Sequence, residues 1–202
     1  MRHVVWAALG GVLLLSGCLT SPAYTPIAQY RIELADPVEA ANPRAHTGSL
    51  GLRPLTAAPA LSRDMNYIED NGRWRALPNA QWAEPPAAVA ARALHDGLAA
   101  SGAFEDVGVA ADMSLPDYVL TGELRHFEVD RRTEPATAHV AFTYNVRRAL
   151  AADVLAAGEA AARAPLPSDD APGFAAGLKA ALAEALAEAT RDITAAVQAQ
   201  AP

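Results

Sequence analysis

The chain has 202 residues, of which 51% are hydrophobic and 19% charged, and a formal net charge of −7. That length suits one domain of ordinary size behind an N-terminal signal, with enough chain to bury a real core. The acidic balance argues against sequence-independent nucleic-acid binding and against polybasic attachment to anionic lipid, and the sole lysine is Lys179.

Residues 1–17 have the order of a signal peptide. Arg2 and His3 precede an apolar run from Val4 to Leu15 that is too short for an ordinary membrane span, and Leu15, Ser16 and Gly17 lead into Cys18, the only cysteine. No disulfide can form within the chain, and an unpaired thiol in an oxidising compartment is a liability unless it is modified. The box closing on Cys18 resembles that of bacterial lipoproteins. The resemblance implies a diacylglyceryl group on the Cys18 thiol, cleavage before it, and acylation of the new amine. Leu19 stands where an inner-membrane retention signal commonly places Asp, so the resemblance favours the periplasmic face of the outer membrane over the inner membrane. Residues 18–27, with Pro22 and Pro26, read as the lipidated terminus and a tether of roughly 30 Å at full extension. That reach holds the domain at 28–202 close to its own bilayer, so any bridging role needs another protein.

From Gln29 to Leu34, Tyr30, Ile32 and Leu34 alternate with polar residues and predict a half-buried strand. Asp36–Ser49, with Pro37 and Pro43, reads as a loop, and Leu50–Leu55 as a second short strand. Asp64–Ile68 reads as extended; Asp70, Asn71 and Gly72 then predict a hairpin turn into a strand through Trp74. Pro86–Ser101 reads as a helix stopped by Gly102, with Ala90, Leu94 and Leu98 turned towards a sheet and Arg92, His95 and Asp96 elsewhere. Phe104–Val109 returns as a strand. Tyr118, Leu120, Gly122 and Leu124 alternate strictly until parity changes near His126 and Phe127, which predicts either a bulge or a strand leaving the protected part of the sheet. Across a polar turn at 130–135, Val140, Phe142, Tyr144 and Val146 complete a long hairpin. Alanine-rich Arg148–Ala164 has helical propensity but follows a hairpin, and a strand is assigned at Val154–Arg163. Asp169, Asp170 and Pro172 open a final helix whose face is Phe174, Leu178, Leu182, Leu186, Ala189, Ile193 and Val197. Its polar face is acidic, where membrane-surface helices are usually basic, so it is expected to dock on the sheet.

The residues nominate no catalytic, cofactor or metal site. There is no Gly-x-Ser-x-Gly elbow, no His-Glu-x-x-His and no phosphate-binding glycine loop, and Lys179 lacks a Ser-x-x-Lys setting. His126, Glu128 and Asp130 share a strand parity and come nearest to a metal or acid–base cluster, though a solvated charged strand end explains them better. His46 and His95 have no local partners. Trp74, between Arg73 and Arg75, and Trp82 are candidate partner-binding residues, Trp82 with the competing reading of a ring packed beneath a loop.

The order of landmarks over the mature chain resembles the ABC-type transport auxiliary lipoproteins, the family of the Pqi auxiliary lipoprotein. After the box at Cys18 come Tyr30-Arg-Ile-Glu-Leu34, Leu52-Arg-Pro-Leu55, Tyr67 and Trp82-Ala-Glu-Pro-Pro86. Leu98-Ala-Ala-Ser-Gly-Ala-Phe104, Tyr118-Val-Leu-Thr-Gly-Glu-Leu-Arg-His-Phe-Glu128 and an alanine- and leucine-rich last helix follow. With the elements above, the resemblance implies an α+β fold, a single periplasmic domain with a mixed or antiparallel β-sheet and two main helices packed on it. It further implies a non-catalytic docking role beside a transporter whose substrate-binding subunit carries an MCE domain, with its permease and ATPase, in systems associated with lipid movement between membranes. The alternative expectation is an assembly or structural lipoprotein that binds an outer-membrane barrel or peptidoglycan. A third is that the domain itself holds lipid in an apolar groove.

Overall fold

The computed structural model describes residues 25–35, 48–151 and 153–199, so Cys18, its preceding box, His46 and most of the loop at 36–49 lie outside the described residues. In chain order the elements are β1 (Ala28–Tyr30), β2 (Ser49–Leu52), β3 (Thr56–Ala57), β4 (Asp64–Ile68), β5 (Trp74–Trp82) and α1 (Pro86–Ala100). They continue with β6 (Asp106–Val109), β7 (Tyr118–Asp130), β8 (Thr137–Arg148), β9 (Val154–Pro165) and α2 (Ala171–Gln198). The fold is α+β: among the described residues, a mixed open sheet of nine strands carries two helices. No helix among them is long and apolar enough to cross a membrane.

Strand β7 organises the sheet. Along one edge it pairs antiparallel with β8 from Tyr118↔Arg148 to Asp130↔Thr137, and β8 in turn pairs with β9. Along the other edge three short strands lie end to end and parallel to it: β2 against Leu120, β3 against Leu124 and β4 against Val129. β6 extends the sheet beyond β2, while β5 and then β1 extend it beyond β4. The second predicted strand is therefore split, because Pro54 has no N–H to give a ladder and the chain steps from β2 to β3 across it.

Period-two patterning sets the buried face. On β8, Ala138, Val140, Phe142, Tyr144 and Val146 are buried, and on β9 Ala160, Ala162 and Ala164 face the same way. The last helix, α2, packs on β9, and its Ala181, Ala185 and Ala189 are buried as these small β9 side chains are; all seven residues named for the helix face are buried. Alanine at 154–165 thus serves a strand despite its helical propensity, because tertiary packing decides at a position after a hairpin. Asp170 caps α2, its carboxylate accepting from the Gly173 N–H at 2.9 Å, with Pro172 in the first turn. In α1, Ala90, Leu94 and Leu98 are fully buried, and Gly102 follows the helix at φ 62°, a conformation open to glycine.

Two strand ends differ from the sequence expectation. β1 stops at Tyr30, yet Ile32 remains buried beyond it. β5 runs nine residues, through Pro78 and Asn79, because the register against β4 breaks between Asp64↔Gln81 and Asn66↔Ala76 and the irregularity absorbs both.

Asp117 ties β2 to the start of β7: its carboxylate accepts from the Ser49 N–H at 2.8 Å and the Ser49 hydroxyl at 2.9 Å. These bonds hold its pKa below the ordinary carboxylate value. A depressed folded-state pKa contributes stability that is present above the unfolded value and lost as pH falls through the folded one. Asp117→Asn is therefore expected to flatten the acid limb of the stability profile below about pH 4. Chemical denaturation of both proteins across that range measures it; identical limbs would exclude Asp117 as a contributor.

Candidate functional site

The two tryptophans have different fates. Trp82, at the end of β5, is 1% exposed and packs edge-on against Phe127 with ring centroids 5.4 Å apart. It is a core residue, which corrects its place among the candidate contact residues: the β5 irregularity turns it towards the helix-covered face, and only the packed reading holds. Trp74, at the opposite end of β5, is 40% exposed. It follows the Asp70–Gly72 turn, where Gly72 takes φ 81°, and its neighbours Arg73 and Arg75 both pair with Glu69, at 3.5 and 3.1 Å. The indole is thus presented on a fixed hairpin rather than a loose loop.

Topology gives this hairpin an orientation. β1 runs parallel to β5 with Ala28↔Ala80 and Tyr30↔Trp82, so residues 25–27 approach from the end of the sheet that carries Trp74. The β7–β8 turn and the start of α2 lie at the same end, since Ile68 pairs with both Trp74 and Asp130. The opposite end bears exposed Leu115, Leu150 and Val154 around the Tyr118↔Arg148 pair.

A polar cluster occupies the sheet face away from α2. Up to Leu124, which pairs with Phe142, the even-numbered residues of β7 point to the helices. A register shift then places His126 opposite Ala141 and Glu128 opposite His139, on the other face. Of the two readings of the parity change at His126, this is the bulge. Glu128 Oε1 lies 2.8 Å from His126 Nδ1 and 3.5 Å from His139 Nδ1, and Oε2 accepts from the Phe127 N–H at 2.7 Å. The two imidazoles stack with centroids 4.6 Å apart. Asp130 does not join them. It takes Arg132 at 2.9 Å and Arg163 at 3.5 Å, and the hydrogen bond from Arg132 is the chief reason its pKa falls to about 2.

The third member of the cluster is therefore His139 rather than Asp130. Its place follows from cross-strand pairing, which spacing along one strand does not display; the signal lay in registering the two hairpin strands against each other. His95, expected to have no local partner, has one in its chain neighbour Asp96 and a second in the backbone of β6. Its Nδ1 meets Asp96 at 2.9 Å and its Nε2 meets the Val107 carbonyl at 3.1 Å, so it links α1 to β6.

Between α1, α2 and residues 31–35 lies a groove of about 750 Å³. Ile32, Leu34, Val89 and Leu186 line its floor, with Arg31 and Arg191 among its polar residues.

Comparison with known proteins adds the family. The family model described as ABC-type transport auxiliary lipoprotein component matches residues 30–193. The chain belongs to that family. Membership makes it an envelope-associated lipoprotein and an auxiliary component of ABC-type transport. No curated protein matches this auxiliary lipoprotein. Among solved structures it is similar to protein XCC0632 from Xanthomonas campestris, with a TM-score of 0.74 and 21% identity over 86% of this chain and 100% of that one. It is also similar to hypothetical protein CT253 from Chlamydia trachomatis, with a TM-score of 0.51 and 11% identity over 75% of this chain and 99% of that one. At these identities the likeness concerns the fold.

Proposed function

We propose that this lipoprotein is held by acylated Cys18 at the periplasmic face of the outer membrane. There it docks, without chemistry of its own, the periplasmic end of an MCE-domain subunit working with an ABC permease and ATPase in lipid movement between membranes. The observation that carries this reading is the family match over residues 30–193. The tether supports it: the approach of residues 25–27 from the Trp74 end turns that end towards the anchoring bilayer. A conduit whose tip reaches the same membrane would meet the domain there. Trp74 is the proposed contact, a large amphipathic ring on a fixed hairpin of the kind that dominates interface energetics.

The test is to tag the C-terminus, crosslink intact cells, solubilise the membranes gently and identify what co-purifies. Recovery of an MCE-domain subunit with its ATPase and permease is expected; recovery of only a barrel protein or wall-associated proteins would replace the reading with the assembly role. In the same experiment Trp74→Ala is expected to cut recovery of the MCE subunit at least tenfold, on the order of the 1.4 kcal/mol or more that a hot-spot aromatic contributes. Leu150→Asp, at the far end of the sheet, is expected to leave recovery unchanged, and the reverse result would move the contact to that end. The groove between the helices adds a subsidiary reading, in which it holds an acyl chain. Mass spectrometry of lipids extracted from the domain purified without its acylated cysteine tests it, and a lipid-free extract would remove it.

A further inference from the structure

Glu128 is a carboxylate buried to 1% exposure, and its ion-pair partners among the described residues are two imidazoles. The nearby guanidinium groups are engaged elsewhere, Arg132 and Arg163 both on Asp130. A buried carboxylate needs a compensating cation held in good geometry. Two imidazole nitrogens and a carboxylate oxygen are together a donor set suited to a borderline divalent ion.

We propose that His126, Glu128 and His139 form a binding site for a divalent transition-metal ion of the zinc class, which clips β7 to β8 beside the bulge. The three ligand atoms, one from each residue, lie within 4.8 Å of one another, with Glu128 Oε1 at 2.8 and 3.5 Å from the two Nδ1 atoms. A tetrahedral zinc ion with bonds of about 2.0–2.2 Å holds its donors roughly 3.3 Å apart, so one of the two stacked imidazoles must turn out of the stack for both Nδ1 lone pairs to meet on one ion. The Phe127 N–H fixes the other carboxylate oxygen and thereby the direction of Oε1, as outer-shell bonds do in metal sites. The bulge has a role here, because without the register shift His126 and Glu128 would face the helices with Leu124. The His126 side chain is 49% exposed, which gives the ion a path in and leaves a fourth position to water.

The site is tested on the mature acylated protein in detergent micelles, carrying no affinity tag and stripped with EDTA. Zinc is followed by isothermal titration and cobalt by visible absorption. One equivalent per chain is expected at micromolar concentration, with the intense absorption of low-coordinate cobalt and a raised Tm in zinc. His126→Ala and His139→Gln are each expected to weaken zinc binding by about 100-fold or more while the circular dichroism spectrum stays unchanged. His126→Gln provides a second variant at the half-exposed position, where folding does not depend on the ring. His95→Ala, which removes the imidazole beside Asp96, is expected to bind as the parent does. The proposal is overturned by the absence of saturable binding, by parent-like affinity in His126→Ala, or by loss of the site in His95→Ala.

Discussion

Exchanging residues 1–17 for an ordinary secretory signal and Cys18 for serine is expected to move the protein from the membrane fraction into the soluble periplasmic fraction and to abolish fatty-acid labelling. The physical reason is additive. Each buried acyl methylene contributes about 0.8 kcal/mol, and more than one chain makes anchoring stable. The net charge of −7 sets the chain as a whole against attachment to an anionic surface by charge. Among the described residues no helix is long and apolar enough to replace the lipid. Cell fractionation and metabolic labelling read the outcome directly; label or membrane association persisting in the serine variant would remove Cys18 from its proposed role.

Phe174→Ala is expected to cost about 3–5 kcal/mol of stability, the range for removing a fully buried aromatic. Phe174 has no exposed surface and stands in the first turn of α2, where its ring meets Tyr67 of β4 edge-on at 6.1 Å. Arg131, from the β7–β8 turn, lays its guanidinium over both rings, 4.2 Å from the Tyr67 centroid and 5.4 Å from that of Phe174. The same guanidinium pairs with Asp169 at 2.8 Å, just ahead of the helix. Removing the ring therefore leaves a cavity where a helix start, a strand and a turn converge, and neighbours held by the rest of the fold cannot collapse into it. Chemical denaturation measures the change, and a loss below about 1 kcal/mol would show that the site relaxes around the gap. Leu150→Ala, at an exposed turn, is expected to stay within about 0.5 kcal/mol.

The features legible in the sequence are those that local chemistry decides. The α2 face from Phe174 to Val197 was readable because one helical stripe carries its whole burial, and Asp170 and Pro172 mark its start. The bulge at His126 was readable because alternation must break where an extra residue enters the strand. What the sequence hid depends on partners remote along the chain. β1 ends at Tyr30 because its partner β5 ends opposite it at Trp82, and β5 is long because its ladder with β4 skips over Pro78 and Asn79. Trp82 is a core residue by virtue of Phe127, forty-five positions away. In the cluster, His126 and Glu128 were visible as a period-two pair, but His139 enters through cross-strand register, and Asp130 leaves through Arg132 and Arg163. The proposed contact at Trp74 was accessible to sequence because the Asp-Asn-Gly turn fixes where the hairpin tip must be.

The direction of β1 bears on how the domain carries load. A pull applied through the N-terminus acts along the axis of β1, which lies parallel to β5 at the edge of the sheet. The hydrogen bonds at Ala28, Gln29 and Tyr30 are then strained in shear and must give way together, whereas a strand peeled from its end loses them one at a time. Beyond β1, buried Ile32 adds a plug that must be drawn out of the core before tension reaches the segment leading to β2. With Cys18 acylated as proposed, tugs from a fluctuating bilayer would meet this shear-loaded joint at the sheet edge first.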